Sequence, residues 1–489
     1  MKLLYKFGIL CLGLLAFACS ESLEELNVDP DRSPTARPQE VLTSAQGYLS
    51  WVLESQYNER AFLWAQYWTW GPGVAIGDDE RYIMNGVSAN NAWDRTYANA
   101  LTDLQFLTRS EEPVFVGVGK ILQAYTYQGL VDHFGDVPFS EAILGEIEDG
   151  SIIAPKYDDA ATIYAALIPM IDEGLAELAK ASSGDMGSED LIYGGDIAKW
   201  KKFANSLKLR ILMRQSVTGN TAEISSAVKA LIDEGDLISS EAEAPFMDFL
   251  GQSGDENPMY ANMESGIGNF YIASNSSLNV LDSLADPRLP LLYAEAVNHE
   301  GEIIGIDQGS VDNEPFTSSK DDYSQGTSIT YDSDNPAIFM SHWEVWFLRA
   351  EAAIRFGTAD VAETALLNAI SEHFTYLGLT SDDAQAYMAS LDFDAAASTN
   401  EQIEILAIQK WISMNGLQES EGWLESLRFD TPDNPIFTSI ETGIYRTPLE
   451  SVLNEGVHPS SWVYPAKEQS LNRNAPAQKD IRDKVFWDN

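Results

Sequence analysis

Along most of the chain apolar residues recur every three or four positions, the period of a helix with one buried face. From Glu40 onward, Val41, Leu42, Ala45, Tyr48, Leu49, Val52 and Leu53 keep that period. Leu63, Trp64, Tyr67 and Trp68 carry the same face forward until Gly71-Pro72-Gly73 ends it. Further helices are predicted near 92–108, 113–134, 157–180, 196–217, 221–234, 342–357, 359–373, 381–390, 399–415 and 419–428. No stretch alternates for long enough to be a strand, and there is no strand–helix–strand rhythm, so the predicted class is mostly α. The pattern fails in two places. Residues 241–336 are rich in Gly, Ser, Asn, Asp and Pro with scattered aromatics, and 429–489 are irregular again. The central stretch is too long for an ordinary connection, so it is either functional or built from short irregular elements.

One helix pair carries a repeat signature. Trp346, Ala350, Gly357, Ala362, Leu366 and Ala369 fall at the offsets of a tetratricopeptide unit, where small residues let two helices approach closely. Arg349 and Ala353 depart from that consensus, and the closing Pro is missing. Trp200, Phe203 and Ala204 begin a similar pattern. The expectation is a helical scaffold with divergent repeats.

Composition narrows the function. Of 489 residues 45% are hydrophobic, enough for a packed core. With 75 Asp and Glu against 30 Lys and Arg, the formal charge is −45. That excludes a general nucleic-acid binder, which needs a basic surface, and disfavours docking on anionic lipid through a polybasic patch.

The amino end reads as an export leader over residues 1–18. Lys2 and Lys6 precede the uncharged stretch Phe7–Phe17, which is too short to span a bilayer and ends in Ala16-Phe17-Ala18. Two processing routes fit: cleavage by ordinary signal peptidase, or diacylation of Cys19 within the run Leu14-Leu15-Ala16-Phe17-Ala18-Cys19. Cys11 leaves with the leader, so Cys19 has no internal disulfide partner, which favours acylation. Residues 19–39, acidic and then rich in Pro and Ser, read as a lipid-anchored flexible tether, and the length of the rest, 40–489, allows two or three domains or one large fold or repeat array.

Catalytic motifs are missing. There is no H-E-x-x-H, C-x-x-C, phosphate-binding G-x-x-x-x-G-K-[ST] or G-x-S-x-G, and the five His are dispersed. Asp321-Asp322 and Asp332/Asp334/Asn335 are oxygen-rich but lack the spacing of a Ca²⁺ loop. Solvated loop is their main reading, a structural Ca²⁺ the minor one, and no other cofactor is expected. Weight shifts from enzyme towards binding protein, with a two-carboxylate glycosidase as the competing class.

Most of the 12 Trp and 20 Tyr belong to the core, including one or both of Trp64 and Trp68, and Trp343, Trp346, Trp411 and Trp423. Loop aromatics are different. Trp70 abuts Gly71-Pro72-Gly73, Tyr82 follows Asp78-Asp79-Glu80-Arg81, and Tyr260, Phe270 and Tyr271 lie among Asn257, Asn262, Asn269 and Asn275. Rings beside amides and carboxylates suit a sugar, whose C–H faces stack while its hydroxyls find donors and acceptors. The same mixture also suits a protein or peptide interface.

Several stretches together resemble the SusD/RagB family of outer-membrane nutrient-binding lipoproteins of Bacteroidetes. They are 19–34 (CSESLEELNVDPDRSP), 131–142 (VDHFGDVPFSEA), 284–293 (LADPRLPLLY), 342–357 (HWEVWFLRAEAAIRFG), 409–432 (QKWISMNGLQESEGWLESLRFDTP) and 463–474 (VYPAKEQSLNRN). The resemblance implies that 40–489 is a single ligand-binding domain of tetratricopeptide-like helix pairs forming a right-handed scaffold with long irregular loop insertions. It implies a surface-exposed lipoprotein of the cell outer membrane that binds a glycan, or in some members a peptide, without chemistry. It also implies a SusC-like TonB-dependent transporter as partner. Its motifs are scaffold, with DHFGDVPFSEA and DPRLP as turn and capping features. Loop chemistry, together with the family's use of the loop after the first long helix and of the central region, nominates Trp70, Asp78, Arg81, Tyr82, Tyr260, Asn262, Asn269 and Tyr271 as ligand-binding residues.

Acylation is directly testable. Cys19→Ser is expected to move the protein from the membrane fraction to the soluble fraction, with loss of the lipid mass from the mature terminus. An unmodified wild-type terminus would exclude the lipid anchor.

Overall fold

The computed structural model describes residues 36–145, 152–219, 221–265, 270–310, 318–395 and 397–488. The leader, Cys19, the tether up to Thr35 and Asn269 lie outside the described residues. The stripe beginning at Val41 folds as α1 (Pro38–Val52), with Pro38 in the first turn, where a missing N–H leaves no bond unmade. It widens into a π-helical turn at Leu53–Asn58 and resumes as α2 (Glu59–Trp64). The wider turn buries Glu54, Ser55, Tyr57 and Asn58 together. The helix stops before the point its pattern predicts. Gln66 turns back with φ 56°, and Trp68–Trp70 become strand β1 instead of helix.

The remaining helices follow the predicted periods to within a few residues. They are α3 (Asn90–Asp94), which continues through a second π turn into α4 (Thr102–Leu107), then α5 (Pro113–Phe134), α6 (Ala160–Leu178), α7 (Ile197–Arg214) and α8 (Thr221–Glu234). The central region holds only short helices, α9 (Pro258–Ser265), α10 (Asn275–Ser283) and α11 (Leu289–Leu292). Long ones return as α12 (His342–Phe356), α13 (Ala362–Tyr376), α14 (Ser381–Ser390), α15 (Thr399–Met414) and α16 (Glu419–Phe429), and the tail adds α17 (Ala466–Leu471). No described helix is long and apolar enough to cross a membrane.

Five more strands, β2 (Val137–Pro138), β3 (Tyr157–Asp158), β4 (Phe246–Met247), β5 (Tyr271–Ala273) and β6 (Ala337–Ile338), complete three two-stranded antiparallel pairs, β1 with β5, β2 with β3 and β4 with β6. The fold is therefore mostly α, as its hydrophobic period predicts. Strands of two or three residues are too short to show alternation, which is why none was visible in the sequence.

Helices pack in antiparallel neighbours. On α5, Gly117 meets Gly174 of α6, and a Cβ on Gly117 would lie 2.7 Å from Leu178. In the packed pair α12–α13, Ala350, Leu366 and Ala369 are buried, and Gly357 caps α12 in the left-handed region. Trp64, Trp68, Trp343, Trp411 and Trp423 are core residues, but Trp346 is only half-buried. Its Nε1 donates to Ser239 O at 3.2 Å, and the Arg349 guanidinium covers its ring at 3.9 Å.

At the centre the core is charged. Arg210 and Arg214 on α7 reach Glu344 on α12, Asp132 on α5, and Glu421 and Glu425 on α16. Lys410 on α15 donates to Glu425 at 2.7 Å. Arg428 spans Glu425 and Glu351, and Arg355 completes the chain at Glu351. Cations and anions occur in equal number in this network, and all its members except Arg355 are buried. Burial acts to raise the Glu425 carboxyl, but Arg428, Lys410 and Arg214 together hold it well below the ordinary range, and Glu351 and Glu421 are lowered in the same way.

The Asp-Pro-Arg-Leu-Pro turn also belongs to the interior rather than only to a cap. Arg288 is fully buried and held by Asp286 and Gln409, while the Tyr387 hydroxyl donates to Asp286 at 2.6 Å.

Removing one hub should be costly. Glu425→Ala leaves Arg428, Lys410 and Arg214 underpaired and is expected to lower stability by about 3–5 kcal/mol, read from the urea midpoint at neutral pH. The lowered carboxyls contribute stability that is complete above the ordinary Glu pKa and is lost as pH falls through their folded-state values. Acid unfolding should therefore set in below about pH 4. An unchanged midpoint in Glu425→Ala would exclude the hub role.

Candidate functional site

The cleft with half-buried rings lies where α9 meets residues 325–336. Asn257 builds this junction. Its Oδ1 accepts from the Met259 and Tyr260 amides at 2.8 and 3.2 Å, starting the helix that presents Tyr260. Its own N–H donates to Ser333 O, and its Nδ2 donates to Asn335 O at 3.1 Å. Across the cleft, the Tyr331 amide is held by Thr327 O and the Tyr331 hydroxyl donates to Glu264 at 2.8 Å. The rings of Tyr260 and Tyr331 stand 5.1 Å apart with a 37° tilt.

Two cavities adjoin these rings and share Met259, Thr330 and Tyr331. One, of about 150 Å³, is walled by Phe62, Trp68, Tyr271 and Met263, with Glu264, Lys320 and Gln325 as its polar groups. The other, of about 20 Å³, is lined by Tyr260, Asn257, Asp332, Asn335, Tyr376, Glu54 and Glu419. Burial raises the Glu54 carboxyl to about 7 and the Glu419 carboxyl well above its ordinary value. A third concavity, of about 890 Å³, lies elsewhere. It is polar, with Asn275, Asn279, Asp307, Arg446 and Thr447 among its lining residues.

The candidates from the sequence divide. Tyr260 is half-buried and lines the cleft. Asn262 lies on the same short helix but donates to Glu59 at 3.2 Å. Trp70 and Tyr271 are core residues, 3% and 5% exposed. They are register partners in the β1–β5 pair with ring centroids 4.4 Å apart, and Tyr271 reaches the larger cavity only as part of its wall. The strand pair draws both rings inward, which a reading of the region as loop could not foresee.

Tyr82 is also buried. Its φ is 60°, and its hydroxyl is within 3.1 Å of His458 Nδ1 and accepts from Gln66 at 3.3 Å. Asp78 is exposed and Arg81 half-buried, and neither lines the cleft. Arg81 instead approaches Glu450 at 3.5 Å, and its carbonyl accepts from Val452, pinning residues 450–452. Between them Glu80 is buried beneath the loop, accepting from Trp70 N and Gln308.

Sequence reasoning missed Tyr331, Glu54 and Glu419. Tyr331 sits beside Asp332 and Asn335, the same mixture of ring and amide that singled out Tyr260. Glu54 lies within an apolar helix pattern, and nothing short of the π turn places it at a cavity. Among the described residues no three His, Cys, Asp or Glu side chains converge as a metal cluster. Asp322 instead closes a capping box with Ser319.

A helical frame presenting a half-open aromatic and polar cleft defines a ligand-binding scaffold. The family model described as SusD-like, starch-binding associating with outer membrane, matches residues 30–465, and the chain belongs to this family of binding proteins. Among solved structures it is similar to a chitin-binding protein at 25% identity, with a TM-score of 0.75, over 92% of this chain and 100% of the other. A SusD homologue from Bacteroides uniformis matches at 20% identity, TM-score 0.72, over 92% and 99% of the two chains. Another from Bacteroides thetaiotaomicron matches at 19%, TM-score 0.74, over 93% and 99%. No curated protein matches.

Because Trp70 is packed on Tyr271, Trp70→Ala should act on stability. The expected loss is about 3–5 kcal/mol, seen as a lowered melting temperature. A full melting temperature with lost ligand retention would return Trp70 to the binding surface.

Proposed function

We propose that this protein is a lipid-anchored protein of the outer-membrane surface that captures a glycan in the Tyr260–Tyr331 cleft. It then passes the glycan unchanged to a SusC-like TonB-dependent transporter. One observation carries the reading: two half-buried tyrosine rings 5.1 Å apart stand over cavities walled by rings, amides and carboxylates. A pyranose offers a C–H face to each ring, and its hydroxyls meet Glu264, Gln325, Asp332 and Asn335. Family membership and the chitin-binding relative support a carbohydrate as the ligand class. The acylated Cys19 would hold the cleft at the membrane, and the transporter partner follows from the family resemblance. Affinity should be modest, since each sugar hydroxyl exchanges water for a protein hydrogen bond of similar strength.

Tyr331→Ala and Tyr260→Ala are expected to weaken oligosaccharide binding by about tenfold or more while leaving the melting temperature close to wild type. The measurement is calorimetry with malto- and chito-oligosaccharides, guided by a glycan array. Undiminished binding in both variants, or hydrolysis of a bound oligosaccharide, would overturn the reading.

A further inference from the structure

We propose that the cleft is built for glycans bearing a free amino group, and that one sugar ammonium sits between Glu54 and Glu419 beneath Tyr260 and Tyr331. The inference rests on the glycan-binding reading above and adds the substrate class.

The two carboxylates come from different elements. Glu54 lies on the π turn Leu53–Asn58 and Glu419 is the first residue of α16. Both are buried, 5% and 2% exposed, and both line the smaller cavity. Glu54 accepts weakly from Asn58 and Asn257, at 3.3 and 3.4 Å. Among the described residues, Glu419 Oε1 has no hydrogen-bond partner and no lysine or arginine lines this cavity. The contrast with the rest of α16 is sharp: Glu421 and Glu425 are neutralised by Arg214 and Lys410, whereas Glu419 is left without a cation. A buried acceptor without a donor is costly to maintain, so the arrangement points to a donor supplied from outside.

The donor's chemistry follows from the walls. An ammonium brings three N–H donors and a positive charge, which answers both the open acceptor and the acidic surroundings. Tyr260, Tyr331 and Tyr376 line the same cavity, and ring faces attract a cation. At about 20 Å³ the cavity holds a group the size of one water. A primary ammonium fits, whereas an acetamide or a trimethylammonium does not.

The titratable groups facing the cavity are Glu54, Glu419, Asp332 and the three tyrosines. Burial raises both carboxyls, Glu54 to about 7, so that it is partly protonated at neutral pH, and Glu419 well above its ordinary value with the nearby Glu54 adding to the rise. A sugar entering as its ammonium form favours carboxylate over carboxyl, so the protein gives protons to the buffer as the ion pair forms.

The test is calorimetry on the mature chain at about pH 5.5, where the sugar amines are ammonium and Glu54 is still largely protonated, with tetramers of glucosamine, N-acetylglucosamine and glucose, in two buffers of different ionisation enthalpy. The glucosamine tetramer should bind about tenfold tighter than the acetylated one, with proton release that the neutral sugars do not cause. Glu419→Gln, nearly isosteric, should bring the three ligands to within about twofold of each other while keeping the Tyr331-dependent binding of the neutral tetramers. Equal wild-type affinities would sink the inference without any variant and leave the glycan reading standing. So would an amine preference that survives in both Glu419→Gln and Glu54→Gln. If no tetramer binds but tetralysine does, in a Glu419-dependent way, both the amino-sugar assignment and the glycan reading fall.

Discussion

Arg214 and Arg428 hold the helical frame closed. Between them they bind carboxylates from α5, α12 and α16, and Lys410 brings in α15. Such a network adds little net energy compared with well-packed apolar residues, because each ion gives up its hydration. Its effect is on geometry. Each charge is satisfied in one arrangement of the helices, and displacing any helix would leave an unpaired ion in a dry interior. A chain with a large excess of acid uses a good part of its scarce arginine here.

That constraint reaches the ligand face through a short path. α15 and α16 meet at Gly416, whose φ is 76°, and a Cβ there would collide with Thr330. Thr330 in turn donates to Leu292 O and precedes Tyr331. Glu419 opens the same α16 that carries Glu421 and Glu425. The corner of the charged frame thus sets both a ring and a carboxylate of the cleft, although the cleft itself is made mostly of irregular chain.

The long helices were legible because their signal is periodic and local. α5 runs from Pro113 to Phe134 and α8 from Thr221 to Glu234, the bounds their apolar periods give. The resemblance to a known family was legible too, since its motifs lie on these same elements. The site was only partly legible. Tyr260 was nominated from its neighbours in sequence and lines the cleft, but Trp70, Tyr82 and Tyr271 occur in the same kind of company and are buried. What separates them is non-local: a three-residue strand pair for Trp70 and Tyr271, and contacts to His458 and Gln66 for Tyr82. Glu54 and Glu419 line one cavity although they are 365 positions apart in sequence, and no local rule couples them.

The close fit of Thr330 against Gly416 has a thermodynamic consequence for capture. A recognition surface wedged against a rigid corner is organised before its cargo arrives, so docking orders little polypeptide and forfeits little chain entropy. On the proposed glycan reading, modest affinity then reflects sugar dehydration rather than protein rearrangement, and rapid exchange is what the proposed hand-off to a transporter requires.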